Sequence, residues 1–374
     1  MNVTLTLDQA IDLIAAVGDK RTVVLQGAMG MGKTSVMHAL KKRFPDYFDM
    51  VIDGAQATEG DLYLPMPDLK AGLMRWLPSD RLGLDTGKRM LVNLDEIGKI
   101  RNPSILNSYL TLLFDRRVAS WDLTEGSIVF ATTNLSSEGL GDFFMPHQRN
   151  RMILVTLRNH TNAQWCEWAL GANIYPAVVR WVDENPMSFA SFKDYPKPDA
   201  GKFTGYHPDL TQESFVTGRS LHAASDILHA AHLLDKDTVL AGLCGAVGEV
   251  AGRGIFALHD LLTTLPRTKD IIKDPSGTVV PPETTQQSLV VYHLLQAAIV
   301  GRDTAKYPKI SEDATFISKT MPMFTYIDRL TEPNLKHLFV TQLCKRVDGA
   351  ASVLPPLVAF ARNNMALMKQ ITAK

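Results

Sequence analysis

Short apolar runs alternate with helical patterns in the first part of the chain. The runs TVVLQ (22–26), MLVNLD (90–95) and SIVFATT (127–133) are rich in β-branched and apolar residues. In LDQAIDLIAAV (7–17) and TSVMHALKKRF (34–44), apolar residues instead recur every three or four positions. This alternation predicts an α/β core built on a parallel sheet.

Helical spacing dominates the rest of the chain. Residues 161–186 predict the start of a helical lid, and residues 217–266 predict more helices. The Pro- and Gly-containing stretch 188–215 predicts an extended surface loop, and residues 267–284 predict a connector before further amphipathic helices. We therefore expect three regions: a nucleotide-binding core at 1–158, a lid at 159–266 and a C-terminal helical region at 267–374.

Composition narrows the class of protein. The 374 residues carry 39 Lys and Arg against 39 Asp and Glu, so the net charge is zero and lacks the basic excess of a nucleic-acid protein. The N-terminal residues contain no basic stretch with a cleavage site, and no apolar run reaches membrane-spanning length. Three widely spaced cysteines are typical of small buried residues in a reducing compartment. We expect a cytoplasmic protein.

A glycine-rich segment lies between the first long strand and the helix that follows it. GAMGMGKT (27–34) fits G-x-x-x-x-G-K-[ST], in which backbone N–H groups and a helix N-terminus surround phosphate oxygens. Lys33 would reach the β- and γ-phosphates, and Thr34 would offer its hydroxyl to Mg²⁺. A chance glycine turn is the alternative, but the flanking strand and helix favour an ATP site. The candidate nucleotide ligands are Gly27, Ala28, Met29, Gly30, Met31, Gly32, Lys33, Thr34 and Ser35.

Acidic residues follow the second buried strand. Asp95 and Glu96 stand at its carboxyl end, where open parallel sheets bind their ligands. Asp95, with Thr34, would hold Mg²⁺, and Glu96 would act as the general base towards water. In isolation the same pair would be an ordinary solvated turn. Downstream of a phosphate-binding loop, it predicts ATP hydrolysis.

A third strand ends in Asn134. Its carboxamide would orient the attacking water or contact the γ-phosphate. The alternative is a turn-forming Asn at the start of the next loop. Asn134 becomes a candidate site residue because its strand follows the strand of the glycine-rich loop and the strand of the acidic pair, in the order of a P-loop α/β core.

These motifs together resemble the AAA+ ATPases, and within them the MoxR-like group. The matching segments are GAMGMGKT (Walker A), LVNLDE (Walker B), ATTN (sensor 1), MPHQRNRMILVTL (arginine-finger region) and FVTGRSLHAASDIL (sensor 2). The resemblance implies a P-loop NTPase αβα core with a parallel sheet, followed by a helical lid and additional C-terminal helices. It also implies a ring, usually a hexamer, with Mg²⁺ and ATP bound between subunits.

By position in the motifs, the resemblance assigns three arginines. Arg151 matches the family arginine finger, Arg149 is an alternative two residues earlier, and Arg219 matches sensor 2. Each would also serve as a surface ion-pair residue. The chain departs from the family pattern at Asn150 and Met152 around the finger, at Gly218 before sensor 2, and at Gly98-Lys99 after Walker B.

The segment of about 54–89 is too long for an ordinary connection. In the MoxR-like group an insertion at this place forms a loop that faces the central pore. Lys70, Met74, Arg75 and Trp76 would then grip a substrate. Alternatively, these apolar residues cover the core of their own subunit.

Two functional classes remain. The first is a MoxR-like remodelling ATPase that acts on a protein substrate or complex, with a protein adaptor that often carries a von Willebrand A-type domain. The second is a nucleic-acid-directed AAA+ motor or loader, which the zero net charge disfavours. A third hypothesis is a nucleotide switch that binds ATP but rarely hydrolyses it. Glu96 weakens this hypothesis, because such a protein would not need a general base.

Overall fold

The computed structural model describes residues 3–134, 144–191, 203–300 and 313–346, together with Phe360 and Asn364. The chain divides into two compact units, Met1–His160 and Thr161–Lys374. Elements on both sides of residue 266 belong to the second unit, and the further division there stays a prediction. Within the described residues, no helix combines the length and the apolar character that crossing a membrane requires.

A six-stranded parallel sheet forms the centre of the first unit. From one edge to the other, its strands are β1 (Thr4–Leu5), β10 (Met152–Leu157), β2 (Thr22–Gln26), β9 (Ile128–Thr133), β6 (Met90–Asp95) and β3 (Phe48–Asp53). Gln26 of β2 lies opposite Thr133 of β9, and Leu94 of β6 lies opposite Ala131. Because all neighbours are parallel, the carboxyl ends of β2, β9 and β6 meet at one edge.

Helices cover both faces of this sheet. On one face, α1 (Leu7–Val17) and α2 (Ser35–Arg43) pack Ile14 and Leu40 against Phe130. On the other, α3 (Pro103–Asp115) packs its fully buried Tyr109 in a core with Val92 and Val129. Strands buried on both sides read as nearly continuous apolar runs, which explains why the sequence reveals them. The predicted αβα class with a parallel sheet is confirmed.

The long insertion is a β-hairpin rather than the loop expected from the sequence. Strand β4 (Tyr63–Asp68) pairs antiparallel with β5 (Leu73–Pro78), and Gly72 lies in the turn with φ 62°. The flanking Leu62 and Leu82 are buried in the core, whereas the strands themselves are exposed. The hairpin is thus anchored at its base and projects its apolar residues outward.

A second, smaller hairpin follows α3. Strands β7 (Arg117–Val118) and β8 (Trp121–Asp122) pair antiparallel, and a single turn of helix, α4 (Pro146–Arg149), precedes β10. These elements lie at the amino ends of the sheet strands, since β10 begins directly after α4.

The regular elements in the described part of the second unit are all helices. Its longest helix, α11 (Thr284–Ile299), is buried nearly all round, with Leu289, Leu294 and Tyr292 each at most 3% exposed. The predicted helix is present, but its polar residues Gln287 and Gln296 are buried as well, so it lacks the exposed polar face of an amphipathic helix. The predicted connector contains a short helix, α10. The predicted surface loop at 188–215 lies partly outside the described residues. The bounds are α5 Asn162–Gly171, α6 Pro176–Glu184, α7 Gly218–His229, α8 Lys236–Val247, α9 Glu249–Thr263, α10 Thr268–Lys273, α11 Thr284–Ile299, α12 Ala314–Asp328 and α13 Pro333–Arg346.

Candidate functional site

The glycine-rich loop joins β2 to α2 at the carboxyl edge of the sheet. Gly30 and Gly32 adopt left-handed backbone conformations, with φ of 74° and 84°, which residues with a Cβ rarely accept. In the described part of the chain, the N–H groups of Gly30, Gly32 and Thr34 donate to no other protein group. Free N–H groups curled ahead of a helix N-terminus form an anion-binding concavity.

Lys33 connects this loop to the third strand. Its ammonium is buried and donates to the carbonyl oxygens of Gly27 at 2.6 Å and Ala28 at 3.0 Å. It also donates to Oδ1 of Asn134 at 2.8 Å. Two residues that lie 101 positions apart in sequence therefore meet, as the strand order predicts.

The start of α2 leaves one hydroxyl for a ligand. Ser35 Oγ donates to the carbonyl of Gly32 at 2.6 Å and is used within the loop. Thr34 occupies the N-cap position, yet its exposed side chain makes no capping hydrogen bond. The Thr34 hydroxyl is therefore available to a ligand. Because the N-terminus of a helix is positive, a cation would bind there only together with negatively charged phosphates.

Asp95 ends β6 on the face that carries Leu91 and α2. One of its carboxylate oxygens accepts a short hydrogen bond from the Thr132 hydroxyl of β9. The same hydroxyl accepts from the Glu96 N–H at 3.2 Å. Thr132 thus orients both acidic residues, and the sequence analysis missed it. The signal was the period-two alternation along β9, which places Thr132 on the face of Phe130.

Glu96 has an unusual backbone. It adopts the left-handed conformation, with φ 51° and ψ 40°, immediately before the 3₁₀ turn Ile97–Lys99. Non-glycine residues in this region store strain and cluster at functional sites. Its carboxylate forms an ion pair with the Lys99 ammonium.

Arg149 and Arg151 lie at the opposite edge of the sheet. Arg151 precedes β10, whose first residue, Met152, stands opposite Thr22 at the start of β2. The Arg151 guanidinium donates to Asp115 at 2.8 Å and lies 4.7 Å from the centre of the Phe114 ring. Both arginines are exposed, and the structure does not bring either of them to Lys33.

Arg149 also has a local backbone partner. Its Nε donates to the carbonyl oxygen of Phe144 at 2.9 Å, at the start of α4. Both candidate finger residues therefore have defined contacts at the same edge. The contacts do not by themselves choose between them.

Arg219 belongs to the second unit. It is exposed in the first turn of α7, which Thr217 caps by accepting from the Ser220 N–H at 3.0 Å. A helix N-terminus repels cations, so this placement of Arg219 is not explained by helix stability. An anionic ligand would remove the repulsion.

The donor set suits Mg²⁺ and ATP. Unpaired N–H groups and a buried ammonium match phosphate oxygens, and the Thr34 hydroxyl with the Asp95 carboxylate are hard oxygen ligands of the kind that Mg²⁺ prefers. A Cβ at Gly27 would stand 3.0 Å from the Met31 sulfur, so the loop is closely packed as well as curled.

Fold and site together define an α/β core with a parallel sheet and a glycine-rich loop at its carboxyl edge, followed by helices. No protein-family model matches this chain, and no curated protein matches it. Solved structures do match, and Hsp104 and RuvB, both AAA+ P-loop ATPases, are among them.

Three of these structures illustrate the similarity. Closed-state Hsp104 with ATPγS and FITC-casein has 14% identity and a TM-score of 0.37, over 68% of this chain and 43% of that chain. NtrX from Brucella abortus has 14% identity and a TM-score of 0.31, over 87% of this chain and 68% of that chain. A mutant of RuvB from Thermotoga maritima has 15% identity and a TM-score of 0.31, over 96% of this chain and 92% of that chain. This chain spans less than half of the Hsp104 chain, and similarities at this level assign no activity to it.

Proposed function

We propose that this protein is a Mg²⁺-dependent ATPase of MoxR-like AAA+ type, which works as a ring, usually a hexamer, and remodels a protein partner or complex. The observation that carries the proposal is the contact of Lys33 with Asn134 beside Asp95 and Glu96. It joins a phosphate-binding loop, a cation ligand and a candidate base at one edge of one sheet.

Each side chain has a distinct part in hydrolysis. The loop N–H groups and Lys33 bind and orient the phosphates, and in doing so Lys33 exchanges neutral carbonyl acceptors for charged oxygens. Thr34 and Asp95 hold Mg²⁺, which neutralises charge on the phosphates when bound. Glu96 takes the proton of the attacking water, and Asn134 orients that water.

The positions of the arginines support an assembly. Strand β2 has five residues and spans about 15 Å, so Arg151 and Lys33 lie at opposite edges of the same sheet. An arginine finger that stabilises the transferring phosphoryl group must then come from a neighbouring copy. We place Arg151 in this role, with Arg149 as the alternative, and Arg219 as sensor 2.

The β4–β5 hairpin supports contact with a protein. Leu64, Met66, Met74 and Trp76 are each about half exposed, so they do not cover the core of their own subunit. By the register of the strands, Leu64 and Met66 lie on one face of the hairpin and Met74 and Trp76 on the other, and exposed apolar patches are typical of interaction sites. The Arg75 guanidinium donates to Asp68 at 2.7 Å and holds the pKa of that carboxyl below its ordinary value.

We therefore propose that the hairpin grips a protein substrate or adaptor as the ring turns over ATP. Lys70, Met74, Arg75 and Trp76 are the residues that we expect to make this contact. An adaptor with a von Willebrand A-type domain fits the proposal.

Hydrolysis is tested by three variants at one protein concentration. Lys33→Ala should lose nucleotide binding, whereas Glu96→Gln should bind ATP and turn over about 10²–10⁴-fold more slowly. The control is Lys42→Ala, which removes an exposed lysine of α2. Equal turnover by wild type and Glu96→Gln would refute the assignment of the base.

The partner is tested by capture. Glu96→Gln protein with bound ATP is recovered from a lysate of its host, with and without nuclease, and the bound molecules are identified by mass spectrometry. A protein retained after nuclease and reduced by Trp76→Ala supports the proposal. The matched control is Trp168→Ala, since Trp168 of α5 is exposed to a similar extent. Capture that nuclease abolishes would favour the nucleic-acid motor instead.

A further inference from the structure

The turn after β6 contains an ion pair that the chemistry above does not use. The Glu96 carboxylate contacts the ammonium of Lys99, three residues later. Between them runs a single 3₁₀ turn, in which the Lys99 N–H donates to the Glu96 carbonyl at 2.8 Å. This single turn brings the two charged side chains together.

The backbone of this turn has little room to move. A Cβ at Gly54 would lie 2.6 Å from the Glu96 carbonyl oxygen, and a Cβ at Gly98 would lie 2.6 Å from Oγ1 of Thr133. The Glu96 N–H is also bound to Thr132. Any reorientation of the Glu96 carboxylate is thus a matter of side-chain rotation and of opening the pair with Lys99.

We propose that Lys99 is a positioning residue that restrains the Glu96 carboxylate and thereby slows ATP turnover. This inference rests on the assignment of Glu96 as the general base. A carboxylate oxygen engaged with Lys99 is unavailable to the attacking water, so the pair competes with catalysis. Lysine is a point charge on a flexible stem, so it does not fix an orientation as a bidentate arginine does.

The size of the effect follows from exposure. The Lys99 and Glu96 side chains are 38% and 31% exposed, so water and salt weaken the pair. A weak pair opens readily and delays each turnover only modestly. We expect its removal to raise kcat by about three- to five-fold.

The kinetic test compares Lys99→Met with wild type across ionic strength. Lys99→Met should raise kcat with KM for ATP unchanged, and Lys99→Arg, which keeps the charge, should have a kcat equal to or below that of wild type. Between about 0.02 and 0.3 M salt, wild-type kcat should approach that of Lys99→Met, whose own kcat should change little. The control is Lys236→Met, which breaks an exposed pair with Asp260 in the second unit.

A second measurement does not depend on turnover. In the absence of nucleotide, the rate at which an amine-acylating reagent modifies Lys99 is read by mass spectrometry. Glu96→Gln should raise this rate several-fold, because the ion pair that holds the Lys99 side chain is lost. The rate at Lys236 serves as the internal reference.

The outcomes separate the two proposals. If Glu96→Gln abolishes hydrolysis but Lys99→Met has wild-type or lower kcat, the restraint by Lys99 is refuted and the ATPase stands. An acylation rate that Glu96→Gln leaves unchanged also refutes the restraint. If Glu96→Gln hydrolyses ATP at the wild-type rate, the base assignment fails and the restraint falls with it.

Discussion

Asn93 is a polar side chain in the middle of the buried strand β6. It has no exposed surface, and neither its Oδ1 nor its Nδ2 has a hydrogen-bond partner within the described residues. Its neighbours across the strands are Val51 and Phe130, which offer no polar side chain. We predict that Asn93→Leu stabilises the first unit.

The magnitude follows from two opposing contributions. Each unpaired buried polar group costs about 1–3 kcal/mol, and a leucine of the same branched shape removes both of them. Its larger methyl groups add a packing cost of about 1–3 kcal/mol in a dense core. The net expectation is a gain of about 2 kcal/mol. For a unit of 160 residues this raises Tm by about 4–8 °C.

The assay is thermal unfolding followed by circular dichroism, with urea unfolding as a second measure of the free energy. Asn107→Leu, on an exposed position of α3, is the control and should change stability by less than about 0.5 kcal/mol. A Tm of Asn93→Leu equal to or below that of wild type would refute the reasoning. It would mean that the carboxamide forms hydrogen bonds, for instance to internal water, that leucine cannot replace.

Three further predictions concern binding, assembly and reactivity. Lys33→Ala should weaken binding of a fluorescent ATP analogue by at least about 100-fold, measured by titration, because a buried ammonium is lost from the phosphate site. Arg151→Ala should keep this binding but lose turnover in the assembled protein, and wild-type turnover per subunit should fall on dilution; full activity of a dilute monomer would contradict the trans finger. Burial, with a smaller contribution from the Asp183 carboxylate, raises the pKa of the Cys166 thiol to about 12. At pH 8 the thiolate fraction is then about one in ten thousand, so iodoacetamide should modify Cys166 only after unfolding in urea, as read by mass spectrometry.

The local sequence pattern was enough to predict the core strands and the loop that joins β2 to α2. TVVLQ and LDQAIDLIAAV coincide with β2 and α1 because burial on one or both faces leaves a clear period in the sequence. Lys33 was found for the same reason, since its neighbours in sequence define its role. The roles of Lys33, Asp95, Glu96, Asn134 and the arginines stay predictions.

Contacts between segments that are distant in sequence could not be predicted from the local pattern. Thr132 reaches Asp95 only because β9 lies beside β6, although 37 residues separate the two side chains. The hairpin β4–β5 was missed because its apolar residues face outward, which reverses the usual relation between hydrophobicity and burial. The burial of α11 required its helical neighbours, which no single segment specifies.

Three departures from local rules lie on β6 or beside its carboxyl end. Lys33 is a buried lysine, Asn93 is a buried and unpaired carboxamide, and Glu96 is a left-handed non-glycine residue. Each lowers stability by a known mechanism. Asn93 lies within β6, Glu96 directly follows it, and Lys33 belongs to the loop that faces its end. A fold selected for stability alone would have removed such costs by single substitutions. Lys33 and Glu96 flank Asp95, so their presence in spite of this cost supports the proposal that this edge of the sheet carries the protein's chemistry.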